Sequence, residues 1–540
     1  MRDGVLLRGD VFALDTPAPT VVFRTPYGRR RISSDVLRPF DCVTEGFAAV
    51  VQDTRGRFGS DGEWRPVMWD QEQLDTVDTV EWVAAQPWCS GEVYLAGTSY
   101  GGILAMHGAA ARPSGLRGVA AAMITTGGRD ARETGGAMRL DHLMGWMVFM
   151  AADWFARRPE HTDPANAALL GQLLADPSAA MRAIPVTDTP LAHLNGFPID
   201  VVGLMSGGAV STPEWEVTDL TVPIFLTTGW YDVFATATID TFVDAVAADP
   251  GRPHRLLVGP WAHTGPLPHL QGELNFGVSA SASAVGLPER QLRHLRRLGE
   301  EGSVEGPEAT WFLMGADEWR TSTAWPPAES RTLTFRLRPG AKPGGRSGGL
   351  DGDDDARTKG QDSFRYDPCD PVPSRGGRLL HLGRLAPGPL DLSWQLQRSD
   401  VLLYQTGARD LPLDVVGRVA VTLSVTCSAP STDLVVRLVD GWPDGRLIPL
   451  AEGVRRLDSD SGLSADQPLP VHVDLGYTAQ RIEPEHRLAV LVTSSNFPHL
   501  DRNLNTGDQL GSNTAVAETT VHTEDSWLLV QALPQEGTAA

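Results

Sequence analysis

Lysine is nearly absent from this 540-residue chain, which has it only at Lys342 and Lys359, so arginine carries almost all of the positive charge. A bias of that kind follows coding composition more readily than function, and it suggests a GC-rich bacterial source. Cysteine is scarce as well. Cys42, Cys89, Cys369 and Cys427 are too few and too scattered for a disulfide framework or a Cys-x-x-Cys metal site. They read as buried free thiols, and neither a metal nor any other cofactor is expected. No run of eighteen apolar residues occurs, and residues 1–10 lack a signal-peptide core and read as a strand pair. Membrane spanning and export therefore have no basis in the sequence, and the cytoplasm is the expected location. Positive charge is in deficit overall: 46 basic against 67 acidic residues leave a net charge of −21, which argues against nucleic acid and anionic membranes as partners.

Against these absences stands one informative stretch, Val93-Tyr94-Leu95-Ala96-Gly97-Thr98-Ser99-Tyr100-Gly101, an apolar strand running into Gly-x-Ser-x-Gly and a small-residue helix. The pattern is that of a nucleophile elbow, where glycines flank the serine because helix and strand approach closely. A serine nucleophile needs a base and an acid to orient it, and two later strand ends supply them. Ile224 to Trp230 leads to Asp232, and Arg255 to Trp261 leads to His263. The order Ser99, Asp232, His263 is that of an α/β-hydrolase triad. The backbone N–H of Tyr100 is the first oxyanion donor such a site would offer. Tyr27 ends another strand, Val21 to Thr25; from the residues alone it reads as a half-buried aromatic with its hydroxyl at the surface.

At this length three or so folded units are expected. Residues 1–128 alternate strands (20–23, 47–51, 93–96, 119–124) with a helix over 69–86 whose Leu74, Val77, Val80 and Ala84 share one face, as in a parallel sheet covered by helices. Residues 129–219 turn helical, with 140–150 and 165–174 the clearest segments, and read as a cap over the site. The sheet resumes over 220–327. Residues 328–540 alternate with period two, at 332–337, 419–426, 434–439 and 488–493, as in an all-β domain. Gly340 to Gly360 is aperiodic and reads as a surface loop. Its Asp351, Asp353, Asp354 and Asp355 lack EF-hand spacing and read as solvated.

Several motifs in order resemble the cocaine esterase family of serine hydrolases, which also takes in X-prolyl dipeptidyl peptidases, α-amino-acid ester hydrolases and glutaryl cephalosporin acylases. They are Thr25-Pro26-Tyr27, Gln52-Asp53-Thr54-Arg55-Gly56, Trp88-Cys89, Gly97-Thr98-Ser99-Tyr100-Gly101, Gly229-Trp230-Tyr231-Asp232, Gly259-Pro260-Trp261-Ala262-His263 and Ala316-Asp317-Glu318-Trp319. The likeness continues through Ser399-Asp400-Val401-Leu402 and Arg437 to Gly445, so it covers nearly the whole chain. It implies an α/β-hydrolase fold with an inserted helical cap and a C-terminal all-β, jelly-roll-like domain. It further implies a Ser99–His263–Asp232 triad acting through an acyl-enzyme, with the Tyr27 hydroxyl joining the Tyr100 N–H in the oxyanion hole. Two departures stand out. Gly102 replaces a commonly larger residue, which is expected to loosen the pocket floor or the start of the helix, and the segment from Gly207 to Asp219 is short.

The cap is dense in large side chains, most of which must pack it. Trp146, Phe149, Trp154 and Phe155, together with Trp230 and Phe234 beside Asp232, are the candidates for an apolar substrate pocket. The expected partner is a small-molecule acyl substrate, and a homodimer is left open. Acyl transfer to an amine or alcohol in natural-product assembly fits the same triad. An α-amino ester or X-Pro specificity would need carboxylates such as Glu214 and Glu216, and a non-enzymatic scaffold is the reading that an intact triad argues against.

Overall fold

A computed structural model describes residues 1–34, 36–66, 69–126, 129–161, 163–207, 215–263, 267–300, 305–341, 346–352, 358–380 and 385–534. The first sheet comprises β1 (Gly9–Phe12), β2 (Ala18–Thr25), β3 (Ala48–Asp53), β4 (Cys89–Thr98), β5 (Leu116–Ala122), β6 (Ile224–Tyr231), β7 (Arg255–Ala262), β8 (Glu308–Leu313) and β9 (Glu318–Ser322), in the spatial order β1-β3-β2-β4-β5-β6-β7-β8-β9. Its seven central strands are parallel, and the two edge strands are antiparallel to their neighbours. Every residue of β3 and β6 is buried, as it must be where helices cover both faces of a parallel sheet. Residues 1–8 form no strand. The expected strand pair is instead β1 against β3, because β1 finds its partner in the sheet edge rather than within its own segment.

Helix α1 (Trp69–Ala84) and helix α2 (Tyr100–Ala110) pack together beside β4, so closely that a Cβ at Gly108 would lie 2.3 Å from Thr76 Cγ2. The inward face of α1 is not the apolar stripe expected. Leu74 is exposed, and Glu72, Asp75, Thr76 and Thr79 are buried with Val80 and Val83. The cause is Arg24 of β2, itself buried, whose guanidinium meets Glu72 Oε2 at 3.0 Å, Thr76 Oγ1 at 2.7 Å and Gln52 Oε1 at 2.8 Å. A buried cation requires acceptors, and α1 supplies them.

The cap is inserted between β5 and β6 and built on α3 (Leu140–Ala156) and α4 (Pro164–Ala175). Asp163 caps α4 by accepting from the Asn166 N–H at 2.8 Å, with Pro164 in the first turn, where its missing N–H costs nothing. Met144, Met147, Met150, Leu170, Leu173 and Met181 form the cap's own core. After β6 come α5 (Ala235–Ala248) and, after β7, α6 (Leu287–Leu298).

The C-terminal domain is one ten-stranded sheet curled about a Val/Leu/Ile core: β10 (Arg331–Arg338), β11 (Ser347–Gly352), β12 (Gln361–Tyr366), β13 (Leu402–Gln405), β14 (Leu413–Cys427), β15 (Thr432–Gly441), β16 (Leu447–Leu457), β17 (Leu469–Ile482), β18 (Arg487–Thr493) and β19 (Ala517–Ala532). The order runs β16-β15-β18-β13-β11-β10-β19-β14-β17, with β12 also on β19. Register shifts between β14 and β19 bend the long strands that turn this corner. Strand β11 corrects the expected loop over 340–360. It pairs with β10 and β13, and Gly348 fits because a Cβ there would fall 2.1 Å from Arg338 O. Asp351 lies in β11 and pairs with Arg338 at 2.7 Å, whereas Asp353, Asp354 and Asp355 fall outside the described residues. All four cysteines are free. Cys369 is exposed, contrary to expectation, and the other three are buried. Among the described residues no group of His, Cys, Asp and Glu could hold a metal, and no helix is long and apolar enough to cross a membrane.

Candidate active site

Ser99 sits between β4 and α2 with φ 56° and ψ −121°, a conformation rare for a residue bearing a Cβ, held by Ser99 N–H to Ala122 O at 2.9 Å and Ile103 N–H to Ser99 O at 2.9 Å. The turn leaves no room around it. A Cβ at Gly97 would lie 2.4 Å from the Gly101 carbonyl carbon, and one at Gly101 would lie 3.1 Å from Arg24 O. Gly102 does not loosen this arrangement, as its small size alone suggests. A Cβ there would stand 2.7 Å from Ile124 Cγ2 and 2.9 Å from Gly97 O, so the site is filled without one. We predict that Gly102→Ala costs about 1–3 kcal/mol by overpacking. Urea unfolding of the variant checks this, and a midpoint equal to wild type would refute it.

Strand ends bring the other two groups to the serine. His263 Nε2 is 3.0 Å from Ser99 Oγ, and His263 Nδ1 is 2.6 Å from Asp232 Oδ1. Asp232 is fully buried, and its carboxylate also accepts from the Thr228 hydroxyl at 2.6 Å and the Phe234 N–H at 3.1 Å. Three donors fix its plane, so the imidazole is held with Nδ1 toward Asp232 and Nε2 toward the serine. Chemically, the array can draw a proton from Ser99 Oγ and hold it on an imidazolium paired to a buried carboxylate.

Aromatic rings cluster around Tyr100 and His263, the neighbours of the serine. Tyr27 is edge-on to Tyr100 at 6.3 Å, and its hydroxyl accepts from Trp146 Nε1–H at 3.1 Å. Trp146 stacks on Tyr100 at 6.2 Å, and the half-exposed Phe149 lies 5.9 Å from Tyr27. Phe234 meets His263 edge to face at 5.5 Å. Three of the sequence candidates are placed elsewhere. Trp154 donates to Gly196 O and packs on Trp64, and Phe155 packs on Phe197 inside the cap. Trp230 is fully buried against Trp325 and donates to Phe312 O. Of the carboxylates weighed for an ammonium group, Glu214 lies outside the described residues. Glu216 is an exposed residue bonded through its N–H to Asp219.

His142 is the neighbour that sequence reasoning missed. It lies on α3 and tilts over Phe234 at 4.9 Å, which places it one ring away from His263. The signal was available in its spacing: 142, 146 and 149 share one face of a helix. Burial, then the proximity of His263, pushes its pKa down to about 3, and burial pushes that of His107, stacked on Trp69 at 5.3 Å, down to about 4. In the unfolded chain both bind a proton below about 6.5. Folding therefore favours their neutral forms, and the stability this gives is complete above that pH and lost as pH falls toward 4. The prediction is a loss of at most about 1.4 kcal/mol per pH unit per histidine in that window. Urea midpoints at neutral and mildly acid pH check it, and equal midpoints would refute it.

The cap is stitched to the C-terminal domain. Leu140 N–H donates to His499 O at 2.9 Å, Asp501 N–H to Met138 O at 3.0 Å and Arg456 N–H to Gly135 O at 2.8 Å. Buried His499 then pairs its Nδ1 with Asp141 at 3.1 Å, one residue before His142, and its Nε2 with Glu452 at 3.5 Å. A cavity of about 600 Å³ opens beside this seam, with Phe234 in its wall, but Ser99, Asp232 and His263 do not line it. The hydrogen-bonded line from Asp232 through His263 converges instead on Ser99.

Similarity to known proteins extends over nearly the whole chain. Residues 3–265 match the X-Pro dipeptidyl-peptidase (S15 family), and residues 304–527 match the X-Pro dipeptidyl-peptidase C-terminal non-catalytic domain. The chain is 35% identical over 535 residues to the cocaine esterase of Rhodococcus sp., covering 94% of this chain and 91% of the relative. The fold is that of an aminopeptidase from a marine sediment archaeon, Thaumarchaeota archaeon, with TM-score 0.76, 20% identity and coverage of 99% and 95% of the two chains. It is likewise that of an α-amino acid ester hydrolase, with TM-score 0.71, 21% identity and the same coverage. With the fold, the site and this kinship together, the chain belongs to the cocaine esterase and X-Pro dipeptidyl-peptidase (S15) family and is a serine hydrolase acting on ester or amide bonds.

Proposed function

We propose that the protein hydrolyses esters of apolar acyl groups through a Ser99–His263–Asp232 triad and an acyl-enzyme. The carrying observation is the unbroken line from Asp232 Oδ1 through His263 to Ser99 Oγ, at 2.6 and 3.0 Å. His263 removes the proton as Ser99 Oγ attacks the carbonyl carbon. The Tyr27 hydroxyl and the Tyr100 N–H bind the resulting oxyanion, and His263 returns the proton to the leaving oxygen. Water then repeats the sequence on the acyl-enzyme. The rings of Trp146, Phe149 and Phe234 support an apolar acyl group, since aromatic faces gain by covering apolar area and offer a carboxylate nothing in return.

The test is turnover of p-nitrophenyl esters of graded acyl size, with a fluorophosphonate label mapped by peptide mass. Hydrolysis with the label on Ser99 is the expected result. A label elsewhere would sink the triad assignment, and labelling of Ser99 without ester turnover would sink the ester-hydrolase reading while leaving the nucleophile in place.

A further inference from the structure

At the opposite end of the catalytic sheet, α6 covers the strand starts of β6, β7 and β8 and leaves a cavity of about 150 Å³. Its wall is cationic. Arg290, Arg293 and Arg297 come from one side of α6, Arg255 from the start of β7, and the floor is Phe225, Leu257, His294 and Thr310. Glu308 is its one carboxylate among the described residues. The cavity lies roughly 25 Å from His263, eight residues along β7 and its extension.

Three features set this place apart from an ordinary solvated face. Many arginines elsewhere in the chain are matched to carboxylates, as Arg55 is to Asp75 and Arg456 to Asp433 and Asp501. Arg290, by contrast, donates only through Nε, to Val285 O at 2.8 Å, and neither Arg290 nor Arg293 forms an ion pair with a described residue. Second, positions 290, 293 and 297 are i, i+3 and i+7 on one helix, a spacing at which like charges repel and destabilise it. Third, His294 is 6% exposed, lines the cavity, and has its Nε2 buried without a hydrogen-bond partner. A buried polar atom left unpaired costs free energy that a ligand can recover.

We propose that this cavity binds a phosphate-type dianion, either free or as the head of a phosphomonoester. Its size suits one tetrahedral oxyanion. Arg290 and Arg293 bring free terminal N–H groups for paired, charge-assisted bonds, and His294 brings one more donor in its Nε2–H tautomer. Arg255 is tied by its guanidinium to the carbonyls of His254, Gly306 and Glu305, so it contributes fixed charge. Burial and the field of Arg255 push the His294 pKa down to about 3, which leaves the ring a neutral donor. The site is independent of the hydrolytic reading, since it shares no residue with the triad.

The test is isothermal titration of the full-length protein at constant ionic strength, with inorganic phosphate in one arm and adenosine monophosphate in the other. Saturable binding of one equivalent is expected, weakened about tenfold or more in Arg290→Gln/Arg293→Gln, which removes two charge-assisted partners. Tighter binding of the nucleotide would assign the phosphomonoester, and equal or tighter binding of phosphate the free ion. Ser99→Ala should bind as wild type does. Independently of any variant, phosphate should slow phenylglyoxal modification of Arg290 and Arg293. The absence of saturable binding in both arms, equal binding by the double variant, or unprotected arginines would each overturn the proposal.

Discussion

Ser99→Ala is expected to lose on the order of 10⁶-fold in kcat toward p-nitrophenyl esters while keeping KM within a few-fold, because the hydroxyl is the bond-forming group and the pocket walls are untouched. The elbow that presents it is strained at φ 56°, and alanine meets the same backbone demand as serine, so the fold should survive the change. What remains after the substitution is the rate supplied by the oxyanion donors and by binding alone. Burst-free, label-free protein with wild-type unfolding behaviour is the expected finding. Residual turnover within a hundredfold of wild type would place the nucleophile elsewhere.

Tyr27→Phe should cost roughly 100- to 1000-fold in kcat, the usual effect of removing one oxyanion donor. The geometry sharpens this expectation. The Tyr27 hydroxyl accepts from Trp146 Nε1–H at 3.1 Å, which orients the oxygen. Phenylalanine keeps the ring contacts with Tyr100 and Phe149, so packing is preserved and the loss isolates the hydroxyl. Steady-state kinetics of the variant decides it: a rate within a few-fold of wild type would remove Tyr27 from the oxyanion hole and leave the Tyr100 N–H with a different companion. Trp146→Phe should show a smaller part of the same loss.

How much of this was legible beforehand depended on whether the information was local. Ser99, Asp232 and His263 each sit just past an apolar run, and their order along the chain is itself a pattern, so no spatial knowledge was needed to pick them out. The buried face of α1 could not be read in this way. Glu72 and Asp75 look like surface charges until Arg24, some fifty residues earlier, is seen to require them. Strand β11 was hidden because its glycines have no periodicity, and its pairing is imposed by β10 and β13. In the cap, Phe155 could have been set apart from Trp146. Nine residues at roughly 100° each put it half a turn away, toward the cap core where it packs. Trp230 was misleading for a different reason: a strand that ends at the active site still points alternate side chains into the interior on the way.

The seam between the cap and the C-terminal domain makes heredity in this protein non-modular. The cap helix bearing His142, Trp146 and Phe149 starts at Leu140, whose N–H rests on His499 O, and Asp141 is clasped by the same histidine. A domain whose described residues touch neither Ser99 nor His263 thus sets the height and tilt of the cap helix beside them. Exchanging C-terminal domains between relatives would transplant pocket geometry along with them. Selection for a new substrate can therefore act on residues 496–501, far from the serine in sequence, without altering a single group of the catalytic line.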